Sequence, residues 1–379
     1  MSTPTVRLRS LDVFRGLTVA GMLLVNNPGS WGNIYPPLAH ASWHGWTPTD
    51  LIFPFFLFIV GVTTHLSRET RRARGDAESA LVGQAVKRGA IIILCGWALA
   101  AFPFYPLERI TGLRIPGVLP RIGLVYICAA LLTQRTTLKQ QVITLVVLLY
   151  GYWFAMTLLP VPGQGGPGIL FLDSAPHTLA AWIDRALLDG HLWRQSKTWD
   201  PEGVLSTLPA IGTAILGTFA GRWIASDRPL RERLNGLFAV GALCAMAGAM
   251  WGWSFPINKS LWTSSYVLLT AGLAAMAIAT ITWLGEGPLM TRLTTPALAF
   301  GVNPLLAFLG SGLMAKFMGS LWKIEVAGKM VSMQSVVYKS AFVPLLAPKN
   351  ASLAFALCFV GIWWAILEPL RRKGIILKV

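Results

Sequence analysis

The side chains best suited to chemistry fall in one stretch, residues 26–50, which contains no Lys or Arg. His40 is the sharpest of them. An imidazole accepts and returns a proton near neutral pH, its unperturbed pKa being ~6.5, and it can also be acylated as a nucleophile. The competing reading is a histidine hydrogen-bonded in an interfacial loop. Asp50 stands at the start of an apolar segment, where a carboxylate carried deep costs ~2.5–3.5 kcal/mol, so it needs a partner. Orienting an imidazole and capping a helix that begins near Pro48 both serve, and spacing alone does not separate them. His44 competes with His40 for the same role. The His40-x-x-x-His44 spacing suits a metal only on a helix, which Gly45 and Pro48 argue against, and no Cys or Glu nearby completes a zinc set. Asn26, ending the preceding apolar run, is either an ordinary helix C-cap or an amide donor to a developing oxyanion.

A second group of residues suits anions and sugars. Asp12 and Arg15 form either an i,i+3 pair at the head of the first apolar run or a phosphate clamp. Arg114 and Arg121 flank Ile-Pro-Gly-Val-Leu-Pro, placing two guanidiniums beside a span. They suit bidentate phosphate contacts or simple anchoring at the interface. Asp200 and Glu202, in Asp-Pro-Glu-Gly, and Asn258 and Lys259, in Asn-Lys-Ser-Leu-Trp, supply carboxylates, an amide and an ammonium fit for a polyhydroxylated or amino-bearing substrate. Trp43, Trp46, Trp199 and Trp262 either stack on a sugar face or belong to interface belts. No G-x-S-x-G, Walker or G-x-G-x-x-G pattern occurs, so hydrolase, ATPase and dinucleotide readings lack their machinery.

The elements that must position these residues are membrane helices. A chain of 379 residues that is 54% hydrophobic and 13% charged lies far from soluble proteins, where charged residues are about a quarter. The expected fold is all-α, a polytopic bundle of about ten transmembrane helices in a single domain over residues 1–379. Spans of ~20 residues are placed at 10–27, 48–67, 87–104, 117–134, 140–159, 205–224, 235–254, 262–284, 296–316 and 350–368. The apolar segment 330–346 reads as a re-entrant or interfacial helix. The first run has no cleavage-site pattern and is expected to stay as the first span. Cys95, Cys128, Cys244 and Cys358 all fall in apolar segments and read as small core residues.

The net charge of +16 reflects basic cytoplasmic loops beside anionic lipid rather than nucleic-acid binding. Arg7 and Arg9, the basic residues of 68–88 and 222–233, and Arg371, Arg372, Lys373 and Lys378 all fall on one face when there are ten spans, with both termini cytoplasmic. Lys316, Lys323 and Lys329, on the opposite face, fit this pattern poorly. Residues 27–47 and 160–204 become extracytoplasmic loops that cover a site; loops as long as the second are uncommon unless functional.

Six of these stretches, in one order along nearly the whole chain, resemble the heparan-α-glucosaminide N-acetyltransferase family. They are Arg9-Ser-Leu-Asp-Val-Phe-Arg-Gly16, His40-Ala-Ser-Trp-His-Gly-Trp-Thr-Pro-Thr-Asp-Leu-Ile-Phe-Pro54, Arg114 to Arg121, Asp200-Pro-Glu-Gly203, Asn258-Lys-Ser-Leu-Trp262 and Gly301-Val-Asn303. The resemblance implies acetyl transfer from cytoplasmic acetyl-CoA, as cosubstrate and without a metal, to the amine of a glucosamine unit beyond the membrane. The family's active-site histidine falls on His40, its assisting asparagine on Asn26, and its motif Trp and Asp on Trp43 and Asp50. Two departures shift the expected acceptor away from heparan. The chain starts at its first span, without the lumenal domain of the animal enzyme, and His44 stands where that enzyme has Asn. The expectation is a bacterial inner-membrane enzyme acting on a free or oligomeric amino sugar.

On this reading Arg15, Arg114 and Arg121 are the candidates for coenzyme A phosphates, although Arg15 is expected on the inner side and Arg114 on the outer. Trp43, His44, Asp200, Glu202, Asn258 and Lys259 are the candidates for the sugar. The expected partners are acetyl-CoA, the acceptor and membrane lipid, with a homodimer left open and nucleic acid excluded. His40 serves either as general base or as an acetyl-accepting nucleophile. The rivals are a secondary transporter for an amino sugar and an envelope-glycan O-acyltransferase with a hydroxyl acceptor.

Overall fold

The computed structural model describes residues 9–285 and 287–377, so Arg7 and Lys378, both counted in the charge pattern, lie outside the described residues. The chain runs α1 (Arg9–Asn26), α2 (Ile52–Arg72), α3 (Glu78–Ala101), a single turn α4 (Glu108–Thr111), α5 (Val118–Arg135) and α6 (Leu138–Leu158). It continues through a short amphipathic α7 (Leu179–Leu188) to α8 (Thr207–Ile224), α9 (Leu230–Trp251), α10 (Ser264–Leu284), α11 (Pro288–Val302) and α12 (Pro304–Lys316). A two-stranded antiparallel hairpin, β1 (Lys323–Val326) with β2 (Lys329–Ser332), the single turn α13 (Met333–Val337) and α14 (Pro348–Arg372) complete it.

By length and composition alone, eight helices among the described residues are long and apolar enough to cross a membrane. The helices α1 and α8, eighteen residues each, fall outside that set but pack among its members. With these two, and α11 leading into α12, the bundle has ten members among the described residues. The third helix starts at Glu78 rather than at 87, because only residues 73–77 separate it from α2.

Small residues let the backbones meet, as membrane helices without a hydrophobic drive between them require. A Cβ at Gly61 of α2 would overlap the Ala214 carbonyl of α8, and one at Gly217 the Phe58 carbonyl. Gly16 of α1 and Gly301 of α11 are interlocked in the same reciprocal way. One core cluster joins Leu11 and Phe14 of α1 with Ile224, Leu237 and Ile278. It gathers the start of α1, the end of α8, the start of α9 and the end of α10 at one end of the bundle. There the basic residues of 222–233 lie with Arg9. This is the clustering expected of the basic face.

Two expectations are corrected. The span placed at 296–316 is two helices, separated at Asn303, whose φ of −124° and ψ of 56° are not helical. Pro304 is the cause, since its ring disfavours helical geometry at the residue before it. The side chain of Asn303 closes the gap: Nδ2 donates to the Ile375 carbonyl at 3.0 Å, and Oδ1 accepts from Leu377 N–H at 2.9 Å. The segment 330–346, read as a re-entrant or interfacial helix, is not one helix: it opens as the second hairpin strand and continues in two short helical turns, Met333–Val337 and Tyr338–Phe342. Lys316, the basic residue on the unexpected face, donates to the carbonyls of Leu99 at 2.5 Å and Ala100 at 3.2 Å. It satisfies the open C-terminal carbonyls of α3, which explains a cation at that end.

Candidate active site

The loop after α1 is tied down along its length. Asn27 is buried and donates from Nδ2 to the Leu23 carbonyl at 2.8 Å, finishing α1. Gly29 N–H and Ser30 N–H bond to Ser352 at the head of α14. Short 3₁₀ turns at Pro36–Leu38 and Pro48–Leu51 flank the histidines. Thr47 Oγ1 donates to the Ala39 carbonyl at 2.6 Å and Thr49 Oγ1 to the Pro37 carbonyl at 3.1 Å, locking one turn on the other. From below, the Tyr266 hydroxyl of α10 donates to the Asp50 carbonyl at 2.5 Å.

That frame fixes a His–Asp pair. His40 Nδ1 lies 2.7 Å from Asp50 Oδ1, with the Asp50 side chain 1% exposed and that of His40 50%. The other oxygen, Oδ2, accepts from Ala41 N–H and Thr47 N–H, each at 3.0 Å. Both roles open for Asp50 in the sequence are therefore filled by one carboxylate, an oxygen apiece. A carboxylate at Nδ1 assigns that nitrogen the proton and leaves Nε2 with its lone pair, the atom that can take a proton or an acyl group.

Lys259 completes the pair from the turn between α9 and α10. Its Nζ is 3.3 Å from Asp50 Oδ1, 3.0 Å from His40 Nδ1 and 3.5 Å from Nε2. Burial pulls its ammonium below the ordinary lysine value, while Asp50 and Glu202 oppose the fall. The turn that carries it is held tightly. Asn258 is fully buried; its Oδ1 accepts from Leu261 N–H at 2.9 Å, and Nδ2 reaches His44 Nδ1 at 3.3 Å. Trp262 is buried at a left-handed φ of 52°, a conformation that costs about 1–3 kcal/mol and persists only where neighbours enforce it. They include Thr213, whose hydroxyl accepts from Trp262 Nε1, and Arg121, stacked on the ring at 5.3 Å.

The two histidines diverge. His44 Nε2 bonds to Asp173 at 2.8 Å, while Trp43 Nε1 donates to the Leu172 carbonyl at 2.8 Å, so the 27–51 and 159–206 loops meet here. Trp43 stands edge-on to Trp199 at 5.5 Å, and Trp199 to Trp193 at 5.9 Å, forming an aromatic wall next to His44, whose ring lies 5.9 Å from that of Trp43. Among the described residues, no three His, Cys, Asp or Glu side chains come together as metal ligands.

The arginines lie apart. Arg15 is on the second turn of α1 at the basic end, against Asp12 at 3.4 Å and the Gly301 carbonyl at 3.2 Å. Arg114 is at the opposite end and grips Asp200 through Nε at 2.8 Å and Nη2 at 2.5 Å, with Glu202 at 2.5 Å. Asp200 and Glu202, read as sugar contacts, are thus paired to a protein cation. Arg121 is buried; Nη2 donates to the Gly203 carbonyl at 3.0 Å and to Ser206 Oγ at 2.5 Å, while Nε and Nη1 find no protein partner. Asn26 is exposed at the end of α1, and no hydrogen bond joins it to His40. Trp46 is also exposed.

Four residues of this region carry no signal in the sequence: Tyr266, Asp173, Asp184 and Ser206. Asp184 of α7 is buried beneath the Asp200 turn and accepts from Asp200 N–H at 3.2 Å and Val204 N–H at 2.9 Å. Burial pushes its carboxyl up to about 6, against those two donors. A Cβ at Gly203 would overlap this carboxylate, which is why the turn reads Pro-Glu-Gly.

Residues 7–250 match the family model described as "Heparan-alpha-glucosaminide N-acetyltransferase, catalytic". The match takes in Asn26, His40, Asp50, Arg114, Arg121 and Glu202 and stops just before Asn258 and Lys259. The chain is 31% identical over 398 residues to the mouse protein named heparan-alpha-glucosaminide N-acetyltransferase, covering 89% of this chain and 58% of that one. To the human protein of the same name it is 30% identical over 375 residues, covering 84% and 55%. The chain therefore spans little more than half the length of these relatives.

Proposed function

Since the chain belongs to the heparan-alpha-glucosaminide N-acetyltransferase catalytic family, we propose that it transfers an acetyl group from acetyl-CoA to the amine of a glucosamine-containing sugar, at the mouth formed by His40, Asp50 and Lys259. The observation that carries this reading is the 2.7 Å contact between a half-exposed imidazole and a buried carboxylate. An amine attacks a thioester only when unprotonated. Nε2 of His40 takes its proton and returns it to the departing sulfur, and Asp50 steadies the imidazolium that forms in between. In the covalent version, Nε2 carries the acetyl group first and the amine attacks second. Asn26 is assigned the amide donation to the oxyanion. The wall of Trp43 and Trp199 supplies faces for a sugar ring, and His44 with Asn258 supplies polar contacts at its rim.

The donor's phosphates are assigned to the basic end of the bundle, where Arg15 lies. Arg114 is already neutralised by two carboxylates, and the guanidinium of Arg121 is enclosed. From Arg15 to Asn26 the first helix rises about 17 Å, the depth that the pantetheine arm has to thread. The setting is a multi-pass bacterial inner-membrane protein with cytoplasmic acetyl-CoA.

A transporter reading draws on the helix broken at Asn303, since broken helices mark transport sites. The amide of Asn303 is spent on Ile375 and Leu377, and the candidate groups gather at the mouth, so transfer is favoured. Purified protein in sealed liposomes, given labelled acetyl-CoA outside and glucosamine on either side, tests the choice. Acetylglucosamine is expected from the wild type and not from His40→Ala. Glucosamine crossing unmodified would replace transfer with transport, and acetylation of hydroxyls alone would indicate an O-acyltransferase.

A further inference from the structure

The amine of Lys259 occupies the place that an acceptor amine has to reach. Its Nζ is 3.5 Å from Nε2 of His40 and 3.0 Å from Nδ1, closer to the imidazole than any other side-chain amine among the described residues. The side chain is 23% exposed, so it is open to the mouth. The turn that carries it is fixed, because Trp262 N–H bonds to the Lys259 carbonyl at 3.1 Å and Thr263 N–H to the Asn258 carbonyl at 3.2 Å, and Nζ itself is held by Asp50 Oδ1 at 3.3 Å. We propose that Nζ of Lys259 is itself an acyl acceptor, a self-acetylation site that takes the acyl group of a thioester donor when no external amine is bound. The proposal rests on the transferase reading above and adds to it a modification site with a consequence for turnover.

The chemistry balances without a further reactant. The ammonium first releases one proton to water, a step that burial of Nζ favours and the Asp50 ion pair resists. The neutral amine then attacks the thioester carbon. The N–C bond forms, the C–S bond breaks, and the second amine proton passes through His40 Nε2 to the departing sulfur. The products are an amide on Lys259 and a free thiol.

The amide is uncharged, so Asp50 loses its cationic neighbour but keeps His40, Ala41 N–H and Thr47 N–H. The added acyl group stands against the imidazole where an acceptor would sit. Self-acetylation therefore blocks the centre, and an amine substrate protects it by competing for the same thioester.

The test uses the full chain in detergent with isotopically labelled acetyl-CoA and no amine, followed by peptide mass spectrometry and a parallel turnover assay with glucosamine. Label is expected at Lys259 well above that at Lys329, an exposed lysine of the hairpin. In His40→Gln, confirmed folded by its thermal melt, labelling of Lys259 should slow by about 10²-fold or more, the usual contribution of a positioned base. Glucosamine added from the start should suppress the label, and Lys259→Arg should carry none at that position. Acetylglucosamine formed with no label at Lys259 would overturn this proposal and leave the transferase reading standing. Equal labelling of Lys259 and Lys329, or labelling indifferent to His40→Gln, would mark ordinary chemical acetylation and also overturn it. Neither product nor label would overturn both readings.

Discussion

His40 Nδ1 and Asp50 Oδ1 are 2.7 Å apart, and the second oxygen of the same carboxylate receives the N–H groups of Ala41 and Thr47. One buried acid thus orients the imidazole and shapes the turn that presents it. Its two functions separate under substitution. Asp50→Asn keeps an acceptor and the size of the side chain but no longer favours the Nδ1–H tautomer. Turnover with glucosamine is expected to fall by about 10²–10⁴-fold, with loss of a cap lowering stability by only ~1 kcal/mol. Product formation and thermal unfolding, measured side by side, read the two effects. Unchanged turnover would reduce the pair to a structural turn.

Arg114 is held by three short contacts to Asp200 and Glu202, and the Asp200 side chain is completely buried. Removing the cation leaves that carboxylate uncompensated, and breaking a buried pair costs roughly 3–5 kcal/mol. Arg114→Met should therefore lower the melting temperature sharply. Arg114→Lys should lower it less, since it keeps the charge and loses the two-pronged geometry. A Met variant with the wild-type melt but weakened acetyl-CoA binding would restore Arg114 to the phosphate role.

Trp199 touches both Trp43 and Trp193 and holds no chemical group of the centre. If this wall receives the sugar ring, Trp199→Ala removes binding made equally in ground and transition states. The expectation is a raised KM for glucosamine, by about two- to tenfold for an aromatic contact worth 0.5–1.5 kcal/mol, with kcat little changed. A fall in kcat at constant KM would place the tryptophan in positioning rather than binding.

The number and order of the spans were legible because twenty-residue apolar runs leave few alternatives in a membrane. The break at Asn303 was signalled by the Asn-Pro pair, yet apolar residues on both sides concealed it from a hydropathy reading. The hairpin was likewise masked: Ile324, Val326, Met330 and Val331 are apolar, and the turn rests on Ala327 and Gly328 at φ 50° and 75°. Within the site, His40 and Asp50 were readable because they stand in one loop. The closing of Arg114 on Asp200, 86 positions away, and of Lys259 on His40, 219 positions away, was not. Such pairings are made by helix packing and leave no local pattern, as the unforeseen Tyr266 and Asp184 also show.

Asp184 gives stability a pH dependence whose sign can be worked out. Burial raises its folded-state pKa to about 6 from the ordinary aspartate value of 3.8. On acidification from neutrality the native state takes the proton first; on alkalisation the unfolded chain gives it up first. Between pH ~4 and ~6 the native state holds more protons, so stability falls as pH rises through this window and levels off above it. The full difference is about 3 kcal/mol at ~1.4 kcal/mol per pKa unit. Asp184→Asn removes the titration. It keeps one acceptor, so it loses one of the two bonds to Asp200 N–H and Val204 N–H at every pH. The stability of the wild type minus that of the variant should decrease from pH ~4 to ~6, read as melting temperatures in one detergent across that range. A constant difference would mean that Asp184 stays ionised in the native state, with its two backbone donors outweighing burial.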